Sequence, residues 1–211
     1  MKNILCYGDS NTFGTDPSGA LPRHPRSVRW PGRLQALLGE EYYVIEEGQG
    51  GRTTAWDDPT DPTRNGLQFL PVALQSHQPL DLVILSLGTN DTKTHFSQHA
   101  HVLSWGMAQL VETIRQFPWR DGKVPQILLV APIAIGSEIE QSEYRQSFNN
   151  ASAALIGPLS ALYWDLARQT GCAFVDAALY AGPGCDQLHM DAESHANLAA
   201  ALADQVRLML P

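Results

Sequence analysis

Apolar residues gather in five short blocks along the chain, at 3–7, 42–46, 82–87, 126–130 and 173–175, each closed by turn residues. The third and fourth, LVILSL and QILLV, are almost unbroken, the pattern of strands buried on both faces. Between the blocks the apolar period lengthens to that of a helix. Trp30, Leu34, Leu37 and Leu38 form one stripe; Leu103, Met107, Leu110, Val111 and Ile114 form another. A third helical stretch spans 142–171, where Gly157-Pro158 is expected to break or kink it, and a last one spans 193–210. Strands alternating with helices predict βαβ units around a parallel sheet. No repeat or linker divides the chain, and the Pro- and Asp-rich 57–66 reads as an ordered loop, so a single domain over 1–211 is expected.

Composition narrows the function classes. The 211 residues suffice for one α/β core, and 44% hydrophobic with 17% charged residues is a globular balance. Fourteen Lys and Arg against 22 Asp and Glu leave a formal charge of −8 with no basic stripe, which argues against a nucleic-acid partner. No run approaches the roughly 20 apolar residues that cross a bilayer, so no membrane partner is expected. Cys6, Cys172 and Cys185 are odd in number and lack CxxC spacing, as expected of a reduced, cytoplasmic protein without a disulfide framework. The apolar stretch at the N-terminus is too short for a signal-peptide core.

In doubly wound sheets, active sites lie beyond the carboxyl ends of the strands. Those ends read Gly8-Asp9-Ser10, Gly48-Gln49-Gly50-Gly51, Gly88-Thr89-Asn90-Asp91 and, past the fifth strand, Asp186-Gln187-Leu188-His189. Acyl transfer needs these residue types. A serine hydroxyl attacks only when a base takes its proton, and the base must be held in one tautomer. Ser10 offers the hydroxyl, His189 the imidazole, and Asp186, three residues earlier, a carboxylate that one turn can place beside the ring. Donors must also meet the oxyanion. Gly51 presents an unobstructed N–H, Asn90 an amide, and Ser10 its own N–H. Each piece alone reads as a turn, a cap or a glycine bend; four of them at successive strand ends read as a catalytic set. Asp9 and Asn11 flank the nucleophile and are candidate substrate-binding residues. Trp56, on the loop after Gly51, either lines the pocket or packs.

With these blocks the chain resembles the SGNH (GDSL-type) hydrolase family over essentially its whole length. The matching blocks are GDS at 8–10, the glycine of GGRTT at 51, GTND at 88–91 and DQLH at 186–189. The resemblance implies a flavodoxin-like three-layer α/β/α sandwich with a five-stranded parallel sheet in the order 2-1-3-4-5. It implies Ser10 as nucleophile, His189 as base, Asp186 as its orienting partner, and Ser10, Gly51 and Asn90 as the oxyanion hole. VIEEGQGGRTTAWDDPTDPTRNG and LDLVILSLGTNDTK are similar to the bacterial arylesterase and acyltransferase branch, which acts on short acyl esters without metal or cofactor. That similarity also implies a homo-oligomer. Asn11 and Gly50 depart from the family pattern, where leucine and serine are common. Rival readings are a carbohydrate acetylesterase, a lysophospholipase or thioesterase, and a non-catalytic flavodoxin-like binding domain.

Other features are set aside. His95 and His99 would share a helix face, but no carboxylate or cysteine close in sequence completes a metal site with His101. Gly48-x-Gly50 lacks the third glycine of a dinucleotide fingerprint, and GxSxG is absent. Trp30 and Trp105 are expected in the core or at an interface, and His195 facing solvent or a neighbouring helix. The insertion at 133–144 is a candidate pocket wall.

Overall fold

Side chains alternate between the two faces of an extended strand, and the computed structural model, which describes residues 1–211, shows that alternation sorting the core. Five strands form one sheet: β1 (Lys2–Gly8), β2 (Tyr42–Gly48), β3 (Leu82–Ser86), β4 (Gln126–Ala131) and β5 (Ala173–Asp176). All neighbours pair parallel, in the order β2-β1-β3-β4-β5. Ile4, Cys6, Leu82, Ile84, Leu128 and Val130 face one layer of helices. Leu5, Tyr7, Val83, Leu85, Ile127 and Leu129 face the other. Both faces are covered, which is why the central strands carry apolar residues on both sides through their middle positions.

After the short α1 (Ser10–Phe13), α2 (Trp30–Leu38) and α6 (Ala192–Met209) pack on the first face. The second face carries α3 (Gly66–His77), α4 (Ala100–Gln116) and α5 (Asn150–Thr170). The stripe Leu103, Met107, Leu110, Val111 and Ile114 is buried as its spacing predicts.

Two expectations are corrected, both in the third helical stretch. The helix expected from 142 begins only at Asn150, where Asn149 and Ser152 form a reciprocal capping box. It then runs unbroken through Gly157-Pro158. Both residues are exposed, so water can reach the carbonyl that proline leaves unpaired, while Ile156, Leu159 and Tyr163 anchor the opposite face. Helix α3 has no counterpart in the hydrophobic reading. Pro71 interrupts its sequence, yet it too faces outward while Leu70, Ala73 and Leu74 are buried. Trp30 is fully buried, whereas Trp105 is exposed. His195 takes the second of its two expected placements, against a neighbouring helix: it is fully buried, and its Nδ1 accepts the Trp30 N–H at 3.2 Å, joining α6 to α2.

Candidate active site

The carboxyl ends of the strands bring the four sequence blocks to one end of the sheet. β1 stops at Gly8, where a Cβ would overlap Thr12 Oγ1 and stand 2.7 Å from the Ser86 carbonyl, so only glycine permits the tight turn. Asp9 caps α1, accepting the Asn11 N–H at 2.9 Å. Ser10 is then the first helical residue; its side chain is half-buried and its N–H is engaged by no backbone partner. Asp9 is 3% exposed, and burial pushes its carboxyl up to about 6 against the pull of the Asn11 N–H. With Asn11, Ser86 and Thr89 it borders an internal cavity of about 10 Å³.

Asn11 has both ends of its amide engaged. Its Oδ1 accepts the Met190 N–H at 2.9 Å and its Nδ2 donates to the Leu188 carbonyl at 3.4 Å. These two bonds straddle His189, so the residue after the candidate nucleophile fastens the loop that carries the candidate base. The structure thus gives Asn11 a clamping place, and Asp9 an inward-facing capping place.

On that loop, Asp186 Oδ2 lies 2.6 Å from His189 Nδ1. Its Oδ1 accepts the N–H groups of Leu188 and His189 at 2.9 and 2.8 Å. Burial on its own would raise the Asp186 carboxyl; the hydrogen bonds from His189 and Leu188 outweigh it and hold the group below the usual range. An ionised Asp186 keeps the proton on Nδ1 and leaves Nε2 as the basic nitrogen. Ser10 Oγ makes no hydrogen bond to His189, a looseness common in active sites without substrate.

The insertion at 133–144 braces this loop. Gly136 N–H donates to the Gln187 carbonyl at 2.8 Å and Glu138 N–H to Gln187 Oε1 at 3.1 Å. Leu188 packs with Ile135, Ile139, Phe148 and Ile156. Tyr144 meets the His189 ring edge-on at 5.2 Å between centroids.

The candidate oxyanion donors sit on the ends of β2 and β3. Gly51 holds a left-handed φ of 79°, and its N–H makes no backbone hydrogen bond. Asn90, 4% exposed, donates from Nδ2 to the Arg52 carbonyl at 3.2 Å, which fixes its amide plane and leaves a second N–H free. Arg52 escaped the sequence reading, although its place beside Gly51 was the available signal. It is buried over the Tyr7 ring at 4.1 Å, and donates to the Gly8 carbonyl at 2.9 Å and to Gln49 Oε1 at 3.1 Å. Asp91, 1% exposed, accepts the Thr54 N–H and hydroxyl, and burial pushes it up to about 6. A Cβ on Gly106 of α4 would overlap Thr54 Oγ1, so this glycine lets the loop after β2 settle onto α4. Trp56 is half-buried against the core on this face, which is packing.

The histidine tract does not form a helical pair: His95 and His99 precede α4. His99 stacks on His101 at 5.8 Å, and His95 lies 3.9 Å from Asp58. No three His, Cys, Asp or Glu residues gather as a metal site, and no helix is long and apolar enough to cross a membrane.

The model of the GDSL-like lipase/acylhydrolase family matches residues 6–197. A carbohydrate acetylesterase from Sinorhizobium meliloti is 36% identical, with a TM-score of 0.93 and 100% of both chains covered. The aryl esterase of M. smegmatis is 37% identical, also with a TM-score of 0.93 and 100% of both chains covered. An acetylxylan esterase from Xylanibacter ruminicola is 24% identical over 200 residues, 82% of this chain and 35% of that protein. The chain therefore spans about a third of the length of that curated relative.

Proposed function

This chain belongs to the GDSL-like lipase/acylhydrolase family and is a carboxylic ester hydrolase, and on that premise we propose that it cleaves short, acetyl-type esters through an acyl-enzyme on Ser10. The observation that carries this reading is the Asp186–His189 pair, 2.6 Å apart, on a loop that Asn11 fastens to the turn holding Ser10.

Ser10 Oγ attacks the ester carbonyl carbon as its proton passes to His189 Nε2. The carbonyl oxygen takes up the negative charge and is met by the N–H groups of Ser10 and Gly51 and the free N–H of Asn90. When the tetrahedral adduct collapses, the bond to the leaving oxygen breaks. His189 Nε2 returns the proton to that oxygen, releasing an alcohol and leaving Ser10 esterified. A water enters, gives its proton to Nε2 and attacks the acyl carbon; the acid departs and Ser10 regains its hydrogen. Asp186 stays ionised throughout, holding Nδ1–H and stabilising the imidazolium. An alcohol in place of that water yields acyl transfer.

The similarity to an aryl esterase supports small aryl and alkyl acetates as donors, and the similarity to a carbohydrate acetylesterase supports O-acetylated sugars as a second donor class. Hydrolysis of p-nitrophenyl acetate, butyrate and octanoate, alongside acetylated xylosides, separates these readings. The expected order is acetate above butyrate above octanoate. A preference for octanoate overturns the short-acyl reading, and xyloside turnover far above aryl acetate turnover moves the substrate to sugar esters.

A further inference from the structure

The loop at 57–66 and the turn after β3 converge on one buried carboxylate. Asp58 is 2% exposed. Its Oδ1 accepts the N–H and hydroxyl of Thr60 at 2.9 and 2.6 Å. Its Oδ2 accepts Lys93 Nζ at 2.7 Å and Arg64 Nη1 at 3.1 Å. Burial alone would raise this carboxyl; the bonds from Lys93, Thr60 and Arg64 outweigh it and hold the group well below the usual range.

The two cations it gathers belong to the two candidate oxyanion loops. Lys93, 6% exposed, closes the turn that presents Asn90, its backbone N–H donating to the Asn90 carbonyl at 3.3 Å. Arg64 lies across Gly51: a Cβ there would overlap Arg64 Nε and stand 2.8 Å from Cδ. The Arg64 carbonyl in turn accepts the Thr53 N–H at 2.9 Å, two residues past Gly51. One anion therefore ties together the turn that aims Asn90 and the side chain that roofs Gly51. Without Asp58 the two loops would still meet through the Asn90–Arg52 bond and the bonds from Thr54 to Asp91, but neither contact reaches the Arg64 side chain that roofs Gly51.

We propose that Asp58 is a positioning residue that sets the spacing between the Gly51 N–H and the Asn90 amide, an assignment that rests on the Ser10 esterase reading. It touches neither substrate nor reacting atoms. Oxyanion donors act only within about 2.7–3.1 Å of where the charge develops, and a displacement of about 1 Å can cost ~10²-fold in rate. Two donors on separate loops need such a tie, and an ion pair screened from water holds its geometry better than an exposed one.

The test is a double-mutant cycle on p-nitrophenyl acetate with Asp58→Asn and Asn90→Ala, reading kcat and KM separately. Alone, Asp58→Asn is expected to lower kcat by ~10–100-fold with KM within about twofold. In the Asn90→Ala background its further cost is expected to fall below about threefold, because the donor it aims is already gone. Equal fold-losses in both backgrounds, or an unchanged kcat, overturn the assignment. Lys93→Met supplies the same readout if Asp58→Asn does not fold: lowered kcat, steady KM and non-additivity with Asn90→Ala support the tie, and additivity or a wild-type kcat overturns it. Ser10→Ala in the same series separates the two claims. Activity that survives it removes the esterase reading and Asp58's role with it, whereas a dead Ser10→Ala with an additive cycle removes Asp58 alone.

Discussion

Asp186 engages both carboxylate oxygens within the loop it shares with His189, three hydrogen bonds in all. Asp186→Asn preserves the shape but presents an N–H or a neutral oxygen to Nδ1, so the favoured tautomer is lost. A fall in kcat of ~10²–10⁴-fold at steady KM is expected in ester hydrolysis assays. Asn90→Ala removes one donor and is expected to cost ~10²–10³-fold; a loss under threefold takes Asn90 out of the mechanism. At this scale the sequence was informative about residue type and silent about side-chain direction. Ser10, Gly51, Asn90, Asp186 and His189 were legible as candidates because each follows the carboxyl end of a strand, where chemistry collects in this architecture. Asn11 was legible only as a neighbour of Ser10. That its amide reaches across to residues 188 and 190 depends on a contact 177 residues distant along the chain, which no local pattern encodes.

Between elements, the buried His195 joins α6 to α2 through the Trp30 N–H. Burial, followed by the neighbouring His24, holds its imidazole down to about 3, with Asp191 opposing and Arg33 and His189 reinforcing. The folded chain refuses a proton that the unfolded chain binds from about 6.5 downward, so this group's stabilising effect is complete above pH ~6.5 and drains away as pH falls toward 3. Asp9 and Asp91 act in the opposite sense. With folded values of about 6, they weaken the fold as pH rises from the ordinary carboxylate value toward 6. The expected outcome is that wild type loses several degrees of Tm between pH 7 and 5 relative to His195→Gln; identical losses in the two proteins would show that His195 does not titrate this way. Elements also mark where periodicity fails as a guide. The regular stripe of α4 was readable, but Pro71 and Pro158 disguise α3 and α5, because a proline on the solvent face of a well-anchored helix costs less than its sequence signal suggests.

For the molecule as a whole, the strand order places the candidate chemistry at one end of the sheet, while β5 forms a free edge on its flank. A recess of about 730 Å³ lies there between α5 and α6, edged by the exposed Trp164, Leu179, Tyr180 and Leu208 and separate from the Ser10 turn. Contiguous exposed apolar surface of this kind marks interaction sites, and the self-association implied by the family resemblance has suitable surface here. Light scattering is expected to give a mass above the 23.1 kDa of one chain, and a monomer mass withdraws that expectation. The sheet itself was legible from five apolar blocks, but a recess assembled from three elements was not. At the carboxyl end of the strands, the proposed function rests on activation of Ser10 by His189 and Asp186. Labelling with a serine-directed fluorophosphonate, followed by mapping of the modified peptide, tests it most directly. The account predicts modification at Ser10 alone, absent in Ser10→Ala and strongly slowed in His189→Ala. An unlabelled wild type, or a label that settles on another serine, would contradict it.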